Sequence, residues 1–382
     1  MISKTSVALN TEINSFMEVE KLTLSKTKSH VIHIGSNAKP CHELKVHDKV
    51  MDTSDNEKYL GDKIDKSGKI RATILDRKSK GYGCVSQIIA ITDEAPLGRW
   101  RVQSAMLMRN AMLVNSMLFN SEAWQGIVKD DIQQLTRVDQ SLFKQLFSSH
   151  SKTPTEAHFL EAGQIPLPFI WASRRILYLQ TILKRDATEI TRQIYETQKR
   201  DTTKGDFAQL VNEDCDNIHL DLNEEVISKL EKHEFKKIVK SKIKVAAFNY
   251  LKCLQAEHSK IRDIKYEKLE MQPYMNSPDM NAEDIALMFA LRTRCIRNIR
   301  ADFSGMFPNI LCPLCGKHDD KLENVSACEH LTHVPKNGAN YSDVFTKSVQ
   351  FQKLTMQQMR ALLEERERIL QLRAEAEAEK QG

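Results

Sequence analysis

KDDIQQLTRVDQSLFKQLF, residues 129–147, carries Ile132, Leu135, Val138, Leu142 and Leu146 at steps of three and four. That spacing gathers them on one face of an α-helix. Asp130 and Asp131 stand at its start, where carboxylates meet the positive end of the helix dipole. Working outward, Arg99–Trp124 shows a broad apolar helical face built from Met106, Leu107, Met112, Leu113, Met117 and Leu118. Asp76–Thr92 reads as a helix weakened by Gly81 and Gly83. Downstream, Thr153 or Thr155 caps a short helix through Glu161, and Gly163 ends it. Pro166 and Pro168 then precede a helix running to about Lys184. The chain is therefore expected to be mostly α.

The flanks differ. Ser29–Gly35 (SHVIHIG) alternates like a short strand, with Val31 and His33 on one face. Lys58–Ile64 (KYLGDKI) is a second short strand, interrupted by Gly61, and Gly68-Lys69 marks a turn after it. Residues 200–224 are polar and acid-rich and read as a linker. Glu224 to about Lys260 reads as one long helix containing the basic run FKKIVKSKIK at 235–244. Asn281 caps a helix to about Phe303, a cysteine-containing loop follows, and a charged helix begins near Phe351.

Composition narrows the class. In 382 residues, 41% are hydrophobic and 28% charged, enough apolar content for packed cores. No run approaches the ~18 apolar residues of a membrane span, so no membrane partner is expected. The start, MISKTSVALNTEINSF, lacks the basic region and apolar core of a secretory signal; a cytoplasmic or nuclear location, not secretion, is expected. The net charge of +5, from 56 Lys and Arg against 51 Asp and Glu, permits nucleic-acid binding without requiring it. Eight cysteines are scattered and read as reduced thiols; Cys312, Cys315 and Cys328 cluster, which in such a chain points to metal.

Five segments in one order resemble non-LTR retrotransposon reverse transcriptases. Glu12–Gly35, ending LTLSKTKSHVIHIG, looks like the palm strand after the catalytic aspartates, with Leu24, Lys28, Ser29 and Gly35 in the family's places. KYLGDKID at 58–65 looks like the hairpin that grips the primer end. RVQSAMLMRNAMLVNSMLFNSEAW at 101–124 and TPTEAHFLEAGQIPLPFIWASRRILYLQTILKR at 153–185 resemble the helical thumb and its extension. CPLCGKHDDKLENVSAC at 312–328 is similar to the zinc knuckle after the thumb.

The resemblance implies a small β remnant of a polymerase palm, a helical thumb and a helical C-terminal region. The expected division is a palm remnant with a primer-grip-like hairpin (1–70), a thumb (71–199), a linker (200–224), a helical connection (225–303), a degenerate zinc-knuckle-like loop (304–335) and a charged C-terminal helix (336–382).

It also implies chemistry that these residues do not complete. Nucleotide addition in the family uses two metal ions ~4 Å apart held by aspartates. Residues 1–51 hold a single aspartate, Asp48, and it follows the strand-like segment. The expectation is a reverse-transcriptase-like protein inactive as a polymerase, with no catalytic magnesium site. Lys28 sits at the family's general-acid position, although an ordinary surface lysine accounts for it as well.

RNA or an RNA–DNA duplex is the implied partner. Leu60 and Gly61 would set the primer terminus, while Lys58, Lys63 and Arg71 reach phosphates. Arg99, Arg101, Arg109 and the adjacent Arg174 and Arg175 would track a duplex; the plain alternative is a solvated helix face.

Zinc is the implied cofactor. Structural zinc takes four Cys or His ligands. Cys312, Cys315 and Cys328 fit three, but Asn324 stands where the family has His, so His330 or His333 would have to complete a Cys3His set with altered spacing. Two further readings stay open: a nucleic-acid-binding module without catalysis, and a helical interaction protein using the apolar stripe of the tail.

Overall fold

A computed structural model describes residues 52–380 apart from 60, 68–69, 95–97, 202, 297–298 and 308; before residue 52 it describes 15, 19, 31, 32, 34, 45, 46, 49 and 50. The chain is mostly α with a small amount of antiparallel β structure. Lys28, Gly35 and Leu60, to which the sequence reading gave roles, lie outside the described residues.

Among the described residues, two antiparallel strand pairs form the β part. Strands β1 (Lys45–Val46) and β2 (Lys49–Val50) pair, as do β3 (Asn56–Tyr59) and β4 (Asp62–Asp65). Val31 forms an isolated parallel bridge with Thr53. The segment from Lys58 to Ile64, read from its alternation as one strand and by the resemblance as a hairpin, is a hairpin. Gly61 adopts φ +94° in its turn, a region open to glycine at no steric cost.

The helices follow. α1 (Arg71–Asp93) packs on α4 (Lys129–Leu146). Gly81, read as a weakness, lies at this packing: a Cβ there would come 2.8 Å from Val138 Cγ1 and 3.1 Å from Met117 Cγ. The long helix expected over Arg99–Trp124 is divided. α2 (Gly98–Met108) passes through a π turn at Arg109–Leu113 into α3 (Val114–Met117), and Asn120 at φ 60° leads into a short 3-10 turn. α5 (Thr155–Ala162) starts after Pro154 without a side-chain cap and stops at Gly163, φ +63°. α6 (Leu167–Leu183) begins with Pro at its first turn.

The segment 200–224 is not a linker. α7 (Ile190–Arg200) leads to α8 (Phe207–Asn217), whose Phe207, Val211 and Cys215 are buried. Its acids are engaged: Asp206 caps the helix by accepting from Gln209 N, and Asp214 pairs with Arg175 in α6. The helix expected over 224–260 is two, α9 (Glu224–Lys229) and α10 (Lys232–Glu257), separated at Leu230 and Glu231, which are extended. α11 (Ala282–Arg292) has the expected Asn281 capping box but ends well before Phe303, because Arg294 turns to φ 52°. α12 (Leu322–Val325) lies in the cysteine loop, and α13 (Val349–Glu379) closes the described chain.

Two apolar cores result. The larger joins α1–α5, α11, the cysteine loop and the buried face of α13. The smaller is made by α6–α10 around Ile176, Leu179, Phe207, Val211, Phe235 and Val239. α6 and α10 contribute to both, so they tie the two together.

His158 lies wholly inside the larger core, its Nε2 2.8 Å from Ser149 Oγ. Burial, which disfavours the charged ring, lowers its pKa from 6.5 to about 4. A group whose folded pKa is depressed in this direction must be protonated at a cost as pH falls. The stability is full above about pH 6.5 and is lost as pH falls towards 4, by about 3 kcal/mol in all. Urea titrations at pH 7 and pH 4 should show this loss, and His158→Gln should reduce the pH dependence.

Candidate nucleic-acid interface and metal centre

The hairpin β3–β4 is pinned to α1. Arg77 Nη2 donates to Gly61 O and to Asp62 Oδ1, both at 3.0 Å. Thr73 Oγ1 accepts from Lys63 N at 2.8 Å and donates to Lys63 O at 3.0 Å. Trp124 Nε1 donates to Asp62 Oδ2 at 3.3 Å, and both residues line a cleft of about 540 Å3 together with Tyr59, Lys63 and Tyr178.

The expected phosphate-binding cations do not all face solvent. Lys58 is exposed on the hairpin. Lys63 lies 3.8 Å from Asp76, and Arg71 contacts Asp130 at 3.1 Å and Asp131 at 3.4 Å. Arg174 donates to Asn115 Oδ1 at 2.5 Å and to Leu118 O.

Arg175 requires a correction. It is buried, bound through two nitrogens to Asp214 at 2.7 and 3.0 Å, with its guanidinium 5.3 Å over the Trp171 ring. Arg109 is fully buried against Asp139. Neither side chain is free to meet a phosphate. Adjacency in sequence shows that two arginines are close; it does not show that a carboxylate 39 residues away claims one of them.

A further cationic surface, formed by the basic run at 235–244, lies on α10. Phe235, Val239 and Ile243 point into the smaller core, which leaves Lys236, Lys237, Lys240 and Lys244 exposed. Lys236, Lys240 and Lys244 follow at steps of four, so they form a line rising about 6 Å per step. Among the described residues, no carboxylate lies within ion-pair distance of these four lysines. Lys242, beside them, donates to His219 O at 3.0 Å. The signal was the run FKKIVKSKIK itself, in which apolar residues every fourth position fix the inward face.

The three clustered cysteines do meet. The Sγ atoms of Cys312, Cys315 and Cys328 lie within 4.8 Å of one another, with Cys312 and Cys328 at 3.8 Å. Backbone bonds build this: Cys312 N donates to His318 O at 2.7 Å and Gly316 N to Cys312 O at 2.8 Å, with Gly316 at φ +65°. The Lys317 backbone N–H holds the Cys315 thiol below its usual pKa. Burial pushes the Cys328 thiol up to about 12.

His330 does not join them and is corrected as a ligand. Its Nε2 is 3.5 Å from Arg373 Nη2 and 3.9 Å from Glu329 Oε1. His333 is taken by Glu365 at 2.8 Å. Asn324, which stands where the resemblance expects a His, donates through Nδ2 to Asp319 O at 3.0 Å, and with Cys312, Cys328, Asp320 and Arg366 it lines a cavity of about 10 Å3.

Three thiols at these separations suit a metal ion. A tetrahedral centre with Zn–S bonds of 2.3 Å has an S···S edge of about 3.8 Å, the separation found between Cys312 and Cys328. No described helix is long and apolar enough to cross a membrane. No protein-family model, curated protein or solved structure matches the chain.

Proposed function

We propose that this chain is a nucleic-acid-binding module of reverse-transcriptase-like descent that grips the backbone of RNA or an RNA–DNA duplex and carries a zinc-braced cysteine loop. The observation that supports binding is the line of exposed, acid-free lysines on α10. Lysines so placed contact phosphates, which gives affinity and orientation without reading sequence. The order of the hairpin, helical unit and cysteine loop supports the descent. Zinc would be held by Cys312, Cys315 and Cys328, and when bound it supplies a cross-link between the two ends of the loop. Arg175 has no part in the grip, since Asp214 holds it.

The test is binding to a fluorescent RNA–DNA duplex at fixed salt. Reversing four charges with Lys236→Glu, Lys237→Glu, Lys240→Glu and Lys244→Glu should weaken binding more than about tenfold, with unchanged circular dichroism because all four side chains lie in solvent. Lys58→Glu should have a smaller effect. Unchanged affinity in the fourfold variant would sink the lysine-face reading.

A further inference from the structure

α13 passes over the cysteine loop, and two of its arginines, seven residues apart, reach it. Arg373 Nη1 donates to Leu314 O at 2.9 Å, between the first two cysteines. Arg366 is 2% exposed and its Nη2 donates to Asp320 Oδ2 at 2.6 Å. Its Nε and Nη1 meet no acceptor. A buried cation with donors unfilled is unfavourable, and one shared carboxylate is a poor answer: Asp320 Oδ2 also accepts from Arg300 N at 2.8 Å. The guanidinium lines the same cavity of about 10 Å3 as Cys312, Asn324 and Cys328. Such a cavity holds about one water molecule. What is missing next to Arg366 is acceptors for its Nε and Nη1 hydrogens.

We propose that the zinc-bound thiolates of the three cysteines supply these acceptors, and that metal binding thereby fastens the C-terminal helix to the cysteine loop. This rests on the zinc reading above. Three thiolates on a divalent cation carry one net negative charge, and thiolate sulfurs accept hydrogen bonds. Among the described residues no histidine joins the three sulfurs, and a solvent oxygen would complete the metal's coordination. Arg366 is a positioning residue here: it touches the loop and not the metal. Metal-free protein keeps the Asp320 pair and loses the partner for the other two N–H groups, so α13 is held less firmly.

The full chain, prepared with zinc and then stripped by a chelator, provides the test. Amide hydrogen exchange over 349–379 is followed in both states, and zinc affinity is measured by competition with a chromophoric chelator. Removing zinc should speed exchange in α13 by about tenfold or more, and Arg366→Met should weaken zinc binding about 10–100-fold with one zinc per chain retained at saturation. Arg366→Lys, which keeps the charge, should lie between them. Zinc bound with wild-type affinity by both variants, or removed with no change in exchange over α13, would overturn the coupling while leaving the zinc reading intact. A wild-type chain that binds no zinc under reducing conditions would overturn both.

Discussion

Asp139→Ala should destabilise the protein by about 3–5 kcal/mol, because it leaves a buried guanidinium without its counter-charge. Arg109 and Asp139 are both 0% exposed. The pair is bidentate, Nε to Oδ1 and Nη2 to Oδ2, each at 2.6 Å. Arg109 also donates to Ile165 O at 3.0 Å, and the rings of Phe143 and Phe159 lie 5.4 and 5.8 Å from its guanidinium. The interaction thus joins the π turn after α2, the middle of α4 and the α5–α6 loop. Urea unfolding measures the loss as a lower midpoint at unchanged slope. The double variant Arg109→Met, Asp139→Leu removes both charges and should recover most of the stability, since well-packed apolar replacements of buried pairs are often neutral. A loss below about 1 kcal/mol in Asp139→Ala would contradict the burial of this pair.

Gly163→Ala should cost about 4 kcal/mol, from left-handed backbone and steric overlap together. Gly163 has φ +63°, and a Cβ there would stand 2.2 Å from Met271 N and 2.3 Å from Glu270 C. Those are backbone atoms, so no side chain can swing aside. The same contact places Gln272 N on Glu161 O at 2.9 Å. Glu161 in turn holds the buried Arg292 at 2.9 and 3.0 Å. Displacing the strand-like segment 270–272 therefore disturbs a second buried ion pair. Gly83 provides the contrast: it is exposed in α1 with nothing within 4 Å of a Cβ. Gly83→Ala should stabilise by about 0.5–1 kcal/mol, and thermal unfolding of the two variants side by side separates the two kinds of glycine.

The elements that were legible in sequence are those whose causes are local. The three- and four-residue apolar steps placed α4 within one residue of its observed end, and Gly163 and Asn281 marked a stop and a start through backbone conformation and capping. The failures have distant causes. The acids of 206–217 looked like linker residues because Asp214 finds its partner, Arg175, in α6. Arg109 looked like a surface cation because its partner Asp139 is on another helix. The break between α9 and α10 was hidden in Leu230-Glu231, which has no Pro or Gly to announce it. At the cysteine loop, spacing identified the three sulfurs, but which side chains line the cavity beside Cys312 and Cys328 depends on how α13 lies over it. No residue near Cys328 could show Arg366 in that cavity.

The most direct measurement is the salt dependence of binding to a short RNA–DNA duplex, for the wild-type chain and for the α10 fourfold Lys→Glu variant. Four lysines that each neutralise one phosphate give a slope of log Kobs against log salt of about −3.6 on the B-form duplex scale. A slope near that value for the wild type, collapsing towards zero in the variant, is the expected result. Equal slopes for the two proteins, or no binding by the folded wild type at low salt, would contradict the assignment of α10 as the nucleic-acid-binding face.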